Sequence, residues 1–333
     1  MARQYACVMP AEWAPQDWLW IGFPHLAEEW RGSLIRAQEQ IADFANAVAD
    51  SGQQVRLLVR DAGNEDRART LIGENVALKR RIYGDIWLRD TGPLIVASHT
   101  MRRAIRFGFN GWGGKYHMAG DEGVGEALAR DANLSLDAAH MVLEGGAVDS
   151  DGTGQAVTTE QCLLNPNRNP KMNRADIEAE LEDWLGFASL LWLGEGLIND
   201  HTDGHVDNLA RFVAPGRIVV PLASGADDPN AAIYEDANRR AEAFGLDIVR
   251  IPSPGLITRD GAIEPASYAN FAITNHLVVV PTFGSPFDEA AIATLAELFP
   301  DRTTIGLPAD AVLAGGGGFH CASQHMPSAV GKS

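Results

Sequence analysis

With 333 residues, 46% of them apolar and 21% charged, the chain can bury a large core and has the charge density of a soluble globular enzyme. A formal net charge of −17 excludes a basic nucleic-acid surface; such a field attracts cations, although acidity also serves solubility alone. Three widely spaced cysteines, Cys7, Cys162 and Cys321, exclude a disulfide framework or a cysteine zinc cluster and suit a reducing, cytoplasmic setting.

Met1 to Pro10 carries one Arg and no apolar h-region, so no secretory leader is expected. No apolar run approaches membrane-spanning length. Taken in order, Trp18 to Phe23 reads as a strand ended by Pro24. Ser33 is placed to cap a helix to Ser51 whose apolar side carries Leu34, Ile35, Ile41, Phe44, Ala45 and Val48. A buried-type strand at Val55 to Val59 and a helix at Asn64 to Ile72 follow.

From there a pattern recurs. Strands are expected at Ile86 to Ala97 and Arg103 to Phe109, then a helix at Asp121 to Ala132 and a strand at Met141 to Leu143. Gly146 to Val148 and Gln155 to Thr159 read as a hairpin turned at Asp149 to Gly152, followed by a helix at Asn173 to Leu185 and a strand at Leu190 to Leu193. His205 to Val213 and Arg217 to Leu222 read as a hairpin turned at Pro215-Gly216, then a helix at Asn230 to Phe244 and a strand at Asp247 to Ile251. Tyr268 to Thr274 with Leu277 to Thr282, a helix at Phe287 to Phe299 and a strand at Thr303 to Gly306 repeat the unit.

Hairpin, helix, strand is thus used about five times, and a unit that cannot bury its own sheet face implies a stacked or closed array. Asp90, Glu144, Asp207, Asn270 and Cys321 stand at matching junctions, at intervals of 54, 63, 63 and 51 residues. In a ring of units these positions would converge on the axis.

Three stretches carry chemistry. Gly315 to Gly318 run directly into Phe319, His320 and Cys321, as if backbone and a thiol were brought close to a ligand. In Asp200 to Asn208 an extended reading puts Asp203, His205 and Asp207 on one face, costly beside an apolar continuation unless wet or functional. His201, Asp203, His205 and Asp207 also read as metal ligands at short spacing. Trp87 to Pro93 sets Asp90 at a turn, where it either stabilises the turn or points to a site. Neither Asn110 to Lys115 nor the later glycine run has the spacing of a phosphate loop. Several carboxylates beside a thiol suit a planar cation, because guanidinium donors match carboxylate oxygens in pairs and their charge favours the thiolate.

The ordered stretches WLRDTGP, FNGWGGKY, EGG with TTEQCLLNPNRNP, TDGHVDNLARF, SYANF and GGGGFHC resemble the agmatine deiminase and bacterial peptidylarginine deiminase family. The resemblance runs from MPAEWAP at Met9 to about Pro327. It implies a pentein, a five-bladed pseudo-symmetric α/β propeller, as a single catalytic domain over residues 1–333. It implies hydrolysis of a guanidinium to a ureido group and ammonia without metal or cofactor, on a small cationic guanidino substrate, in an enzyme expected to dimerise. On the matching positions Cys321 is the nucleophile, His205 the general acid and base, Asp90 and Asp207 the guanidinium ligands, and Glu144 orients His205.

Trp87 and Trp112 are placed to line the substrate's alkyl chain or to rim the core, and Gly317 to let backbone lie beside the substrate. His201 stands where an acidic residue is usual and Asp203 where Asn is frequent, both where the distal end of the substrate would lie. Gly318-Phe319 and His325 also depart from the family pattern. Agmatine, giving N-carbamoylputrescine, is the first reading, and free or C-terminal peptidyl arginine the second. An amidinotransferase, a metallohydrolase and a guanidinium-binding module without turnover are further readings.

Overall fold

The computed structural model describes residues 7–30, 32–98 and 100–329; the first six residues, part of the stretch in which no leader is expected, lie outside them. The chain opens with three parallel strands, β1 (Gln16–Gly22), β2 (Val55–Val59) and β3 (Val76–Arg80), with a helix over Leu34–Asp50 between the first two. Parallel neighbours need such a crossover, whereas antiparallel neighbours need only a turn.

Four units of one topology follow, each an antiparallel pair, a helix, and a strand returning parallel to the second of the pair. The first is β4 (Leu94–Ala97), β5 (Arg102–Gly108), the helix Asp121–Asp131 and β6 (Ser135–Val142). The second is β7 (Asp149–Ser150), β8 (Gln155–Thr159), the helix Arg174–Leu185 and β9 (Ser189–Leu193). The third is β10 (Arg211–Ala214), β11 (Arg217–Leu222), the helix Ala231–Phe244 and β12 (Asp247–Pro252). After a small hairpin, β13 (Thr258–Arg259) with β14 (Ala262–Ile263), the fourth is β15 (Ala272–Ile273), β16 (Leu277–Thr282), the helix Asp288–Leu298 and β17 (Thr303–Pro308).

The last strand, β18 (Ser323–Pro327), pairs antiparallel with β1. That pairing gives the first sheet the same order as the others, built from both ends of the chain, with β3 added at its edge. The result is an α/β fold of mixed sheets.

Local chemistry explains the helices. Over Arg174–Leu185 the Asn173 side chain accepts from the amides of Ala175 and Asp176, Asp176 returns the bond in a capping box, and Gly186 ends the helix at φ +76°. Ile177, Leu181 and Leu185, four apart, are buried against the sheet. The first helix buries Ala37, Ile41, Phe44, Ala45 and Val48, but Ile35, expected on that face, is 66% exposed, and Ser33 makes no side-chain cap bond.

Several expected strands are shorter and begin with one helical turn. Ile86 to Ala97 divides into a turn over Leu88–Thr91 and β4, and Gly145–Ala147 is a 3-10 turn ahead of β7 rather than a strand. His205 to Val213 divides into a 3-10 turn over Val206–Asn208 and β10, and Tyr268 to Thr274 into a turn over Tyr268–Asn270 and β15. The face shared by Asp203, His205 and Asp207 therefore does not form, because Asp203 and Gly204 take φ +65° and +85° and the chain coils. Strand β6 is longer than Met141 to Leu143, and β3, β13, β14 and β18 were not expected. Strand β3 buries only Val76 fully and so shows no apolar run.

Candidate active site

The helical turns bring the polar junction residues together. The turn holding Asp90 packs on the turn after Glu144, that on the turn holding Asp207, and that on the turn holding Asn270. A single turn at a strand's start aims its side chain inward, where a strand would alternate it between faces.

Asp90, Glu144, His205, Asp207 and Cys321 are all buried at this convergence. Asp90 accepts from the Trp112 indole at 2.9 Å and from the Gly146 amide at 2.9 Å, and its Oδ1 lies 3.7 Å from His205 Nδ1. The Cys321 thiol lies 3.3 Å from Asp207 Oδ2 and 3.0 Å from Asn270 Nδ2, while the Asn270 side-chain Oδ1 accepts from the Cys321 amide. Glu144 accepts from Arg168 Nε at 2.7 Å, and one of its carboxylate oxygens lies within 4.8 Å of ligand atoms of His205 and Cys162.

Four buried atoms at this centre lack a hydrogen-bond partner of ordinary geometry: both His205 ring nitrogens, Glu144 Oε2 and Asp207 Oδ1. Each would cost about 1–3 kcal/mol if it stayed unsatisfied, which marks the centre as built for a polar ligand.

The charges follow from burial and neighbours. Burial pushes the Cys321 thiol well up, and the Asp207 and Asp90 carboxylates push it further. Burial works to lower His205, but Asp90, Cys162 and Glu144 outweigh it and hold the imidazole well above its ordinary value. Burial also raises Asp90, restrained by His205 and the Trp112 indole. Asp207 lies below the ordinary range, because the His320 hydrogen bond and charge, with His205 and Arg211, overcome its burial.

A pocket leads outward from Cys321 and Asp90. Trp87, Trp112 and Tyr116 supply its aromatic walls, His201 and Thr202 also line it, and Glu28, Glu29 and Asp85 are its remaining carboxylates. Trp112 holds its place at φ +52°, a strained setting for a non-glycine residue. The glycine run is mostly clearance. A Cβ on Gly315 would lie 2.6 Å from the Trp30 ring, on Gly317 2.8 Å from the Trp87 ring, and on Gly318 2.6 Å from Asn270 Oδ1. Only Gly316, at φ +116°, needs the left-handed region.

Of the expected site residues, Glu144, His205 and Asp207 lie buried at the convergence rather than in the pocket wall, and Asp203 and Gly317 also lie off that wall. Asp203 turns its carboxylate to Lys115 at 2.6 Å, Asn167 at 2.9 Å and Arg168 at 2.6 Å, and Gly317 packs against both the Trp87 ring and Cys321. Lys115 also donates to the His201 carbonyl at 2.7 Å, so Asp203 and Lys115 brace the loop that carries His201. The quartet His201, Asp203, His205 and Asp207 does not assemble as a metal site. Among the described residues the group that could hold an ion is Glu144, Cys162 and His205, in which Cys162 stands beside the catalytic histidine candidate. Arg168 was missed as the partner of Glu144, although the NPNRNP run contains it.

The family model described as Porphyromonas-type peptidyl-arginine deiminase matches residues 8–327. An agmatine deiminase of Pseudomonas putida is 35% identical, with 97% of this chain and 96% of that protein covered. An agmatine deiminase structure from Enterococcus faecalis superposes with a TM-score of 0.93 at 29% identity, covering 98% and 97% of the two chains. A C. jejuni agmatine deiminase structure, a cysteine-to-serine variant with substrate bound, gives 0.90 at 27% identity over 97% and 96%. A match over almost the whole chain, including the segments that carry Asp90, Glu144, His205, Asp207 and Cys321, places this protein in the Porphyromonas-type peptidyl-arginine deiminase family.

Proposed function

We propose that this protein hydrolyses agmatine to N-carbamoylputrescine and ammonia through a covalent intermediate on Cys321. The observation that carries the choice of substrate is the number of acids in one pocket wall, which holds Asp90 with Cys321 and also Glu28, Glu29 and Asp85. A dication with a guanidinium at one end and an ammonium at the other matches that arrangement. Free arginine or a C-terminal peptidyl arginine would set a carboxylate among those acids, at a cost in repulsion and desolvation. Trp87 and Trp112 flank the polymethylene stretch between the two cations.

Each step uses a group at hand. The guanidinium docks against Asp90 and Asp207 Oδ1, and its charge offsets the carboxylates that hold the thiol protonated. The thiol proton passes to solvent water in the pocket, and Sγ bonds to the central guanidinium carbon as the carbon–nitrogen π pair moves onto nitrogen. The imidazolium of His205 protonates one nitrogen, and the carbon–nitrogen bond breaks to release ammonia and leave an S-alkyl thiouronium. His205, now neutral, takes a proton from water as its oxygen adds to the same carbon. The carbon–sulfur bond then breaks, the proton left on the added oxygen passes to the departing sulfur, and the Cys321 thiol and the neutral ureido product result. Glu144, anchored by Arg168, orients the imidazole.

We further infer that the five units close as a five-bladed propeller and form one domain. The pairing of β18 with β1 and the succession of packed turns support this closure. Buried free thiols at Cys7, Cys162 and Cys321 suit a reducing cytoplasm.

The test is release of ureido product and ammonia from a panel of guanidines. Agmatine should exceed arginine in kcat/KM by about 100-fold or more, and Cys321→Ala should lose at least about 10⁴-fold with the fold intact. Chelators should leave the rate unchanged and iodoacetamide should abolish it. Equal turnover of arginine would overturn the substrate, and an active Cys321→Ala the chemistry.

A further inference from the structure

Directly before Cys321 stands His320, 2% exposed, with each ring nitrogen 2.8 Å from a different carboxylate: Nδ1 from Asp207 Oδ2 and Nε2 from Glu12 Oε2. Ionised carboxylate oxygens only accept hydrogen bonds, so two such contacts require a hydrogen on both ring nitrogens. Both carboxyls are held below the ordinary range. At Glu12 burial is outweighed by Arg211, His320 and Arg89, and at Asp207 by His320, His205 and Arg211.

The surroundings make the same demand. Glu12 also accepts from Arg211 Nη2 at 2.7 Å, from Arg89 Nη2 at 3.5 Å and, on its other oxygen, from the Ile273 amide at 2.7 Å. Arg211 reaches on to Asp149 at 3.1 Å. Glu12, Asp149 and Asp207 facing Arg89 and Arg211 leave one buried negative charge uncompensated, and a cationic His320 balances it. His325, against Arg89, cannot serve, because burial and that guanidinium push it down to about 3. Asp90, His205 and the Cys321 thiol complete the ionisable groups around Asp207.

Asp207 therefore has one oxygen tied and one open. Its Oδ2 faces His320 at 2.8 Å and Cys321 Sγ at 3.3 Å, while Oδ1 is buried without a partner. We propose that His320 is a positioning residue for deimination: as an imidazolium clamped between Glu12 and Asp207, it fixes the rotation of the Asp207 carboxylate so that Oδ1 stays open to a guanidinium N–H. The inference rests on the reading of Asp207 as a guanidinium ligand.

Two measurements test it. In the unreacted protein, nitrogen NMR of labelled histidine at pH 7 should show both His320 ring nitrogens protonated; a neutral tautomer overturns the proposal. That spectrum needs no turnover, so inactivity on agmatine would sink the function while the clamp is judged separately. In His320→Asn, verified as folded by circular dichroism, KM for agmatine should rise about 10- to 150-fold, the range for losing a hydrogen bond to a charged group, with a smaller change in kcat. The acid limb of kcat/KM should also move to higher pH, because Asp207 without its cationic neighbour protonates more readily. An unchanged KM with an unmoved acid limb, or loss confined to kcat, overturns the proposal, and if the variant does not fold the spectrum alone decides.

Discussion

At Asp85 the pocket holds a carboxyl that burial, with Asp121 and Glu29 nearby, pushes up to about 7. A carboxyl raised on folding binds its proton more tightly in the native state than in the unfolded chain. Its effect is neutral below the unfolded value near 3.8 and becomes an increasing penalty as pH climbs to the folded value. At 1.36 kcal/mol per pH unit the full penalty is roughly 4 kcal/mol as an upper figure. Asp85→Asn keeps an oxygen for the Ile86 amide, which Asp85 Oδ1 now accepts at 2.7 Å, and removes the charge. Denaturant unfolding should find the variant more stable than the parent by about 2–4 kcal/mol at pH 8, with the gap closing towards pH 4. Its KM for agmatine should rise in parallel. A gap independent of pH would show that folding does not raise the Asp85 carboxyl. Nothing in the sequence marks Asp85, Glu28 or Glu29, because a carboxylate facing a pocket looks the same in one dimension as a carboxylate facing solvent.

The working element is the single helical turn that opens each hairpin, and Gly146 shows why it must be so tightly made. A Cβ there would lie 2.6 Å from His205 Nδ1, 2.9 Å from Asp90 Oδ1 and 3.0 Å from Asp207 Oδ2. The residue has no positive φ, so alanine is tolerated by the backbone and excluded by the catalytic groups alone. Gly146→Ala should lower kcat/KM by at least about 100-fold while costing only about 1–3 kcal/mol of stability, the range for overpacking. Gly216→Ala, at φ +68° with open space around it, should cost about 1 kcal/mol and leave the rate unchanged. If both variants keep the parent rate, the convergence of these turns is not what catalysis uses. The repeat itself was legible, because apolar runs and turn residues recur with the unit. The turns were not, because Leu88 to Thr91 or Val206 to Asn208 is too short to show a helical period and lies inside an apolar run that reads as strand. Hence Asp203, His205 and Asp207 were chosen from one stretch for a shared face that the coil removes, and only His205 and Asp207 reach the centre.

Across the whole molecule, the C-terminal strand and the net charge act on the same site from different distances. Pairing of β18 with β1 draws in the segment that carries Cys321, an arrangement hidden in sequence because the two strands of that pair stand at opposite ends of the chain. The charge of −17 surrounds a pocket lined by Glu28, Glu29, Asp85 and Asp90, so field and pocket attract a cation together. Screening separates this contribution from contact binding, since the Debye length falls from about 30 Å at 0.01 M salt to about 8 Å at 0.15 M. A dication gains about twice as much from a given potential as a monocation. Raising salt from about 0.01 to 0.3 M should therefore lower kcat/KM for agmatine several-fold, and lower that for butylguanidine, which keeps the guanidinium and lacks the ammonium, by roughly the square root of that factor. The value of kcat should stay level for both, because chemistry proceeds after capture among buried groups that salt screens little. Equal salt slopes for the two substrates would mean that the distal ammonium is not sensed by the protein's field, and that selectivity for it lies wholly in close contacts with Asp85, Glu28 and Glu29.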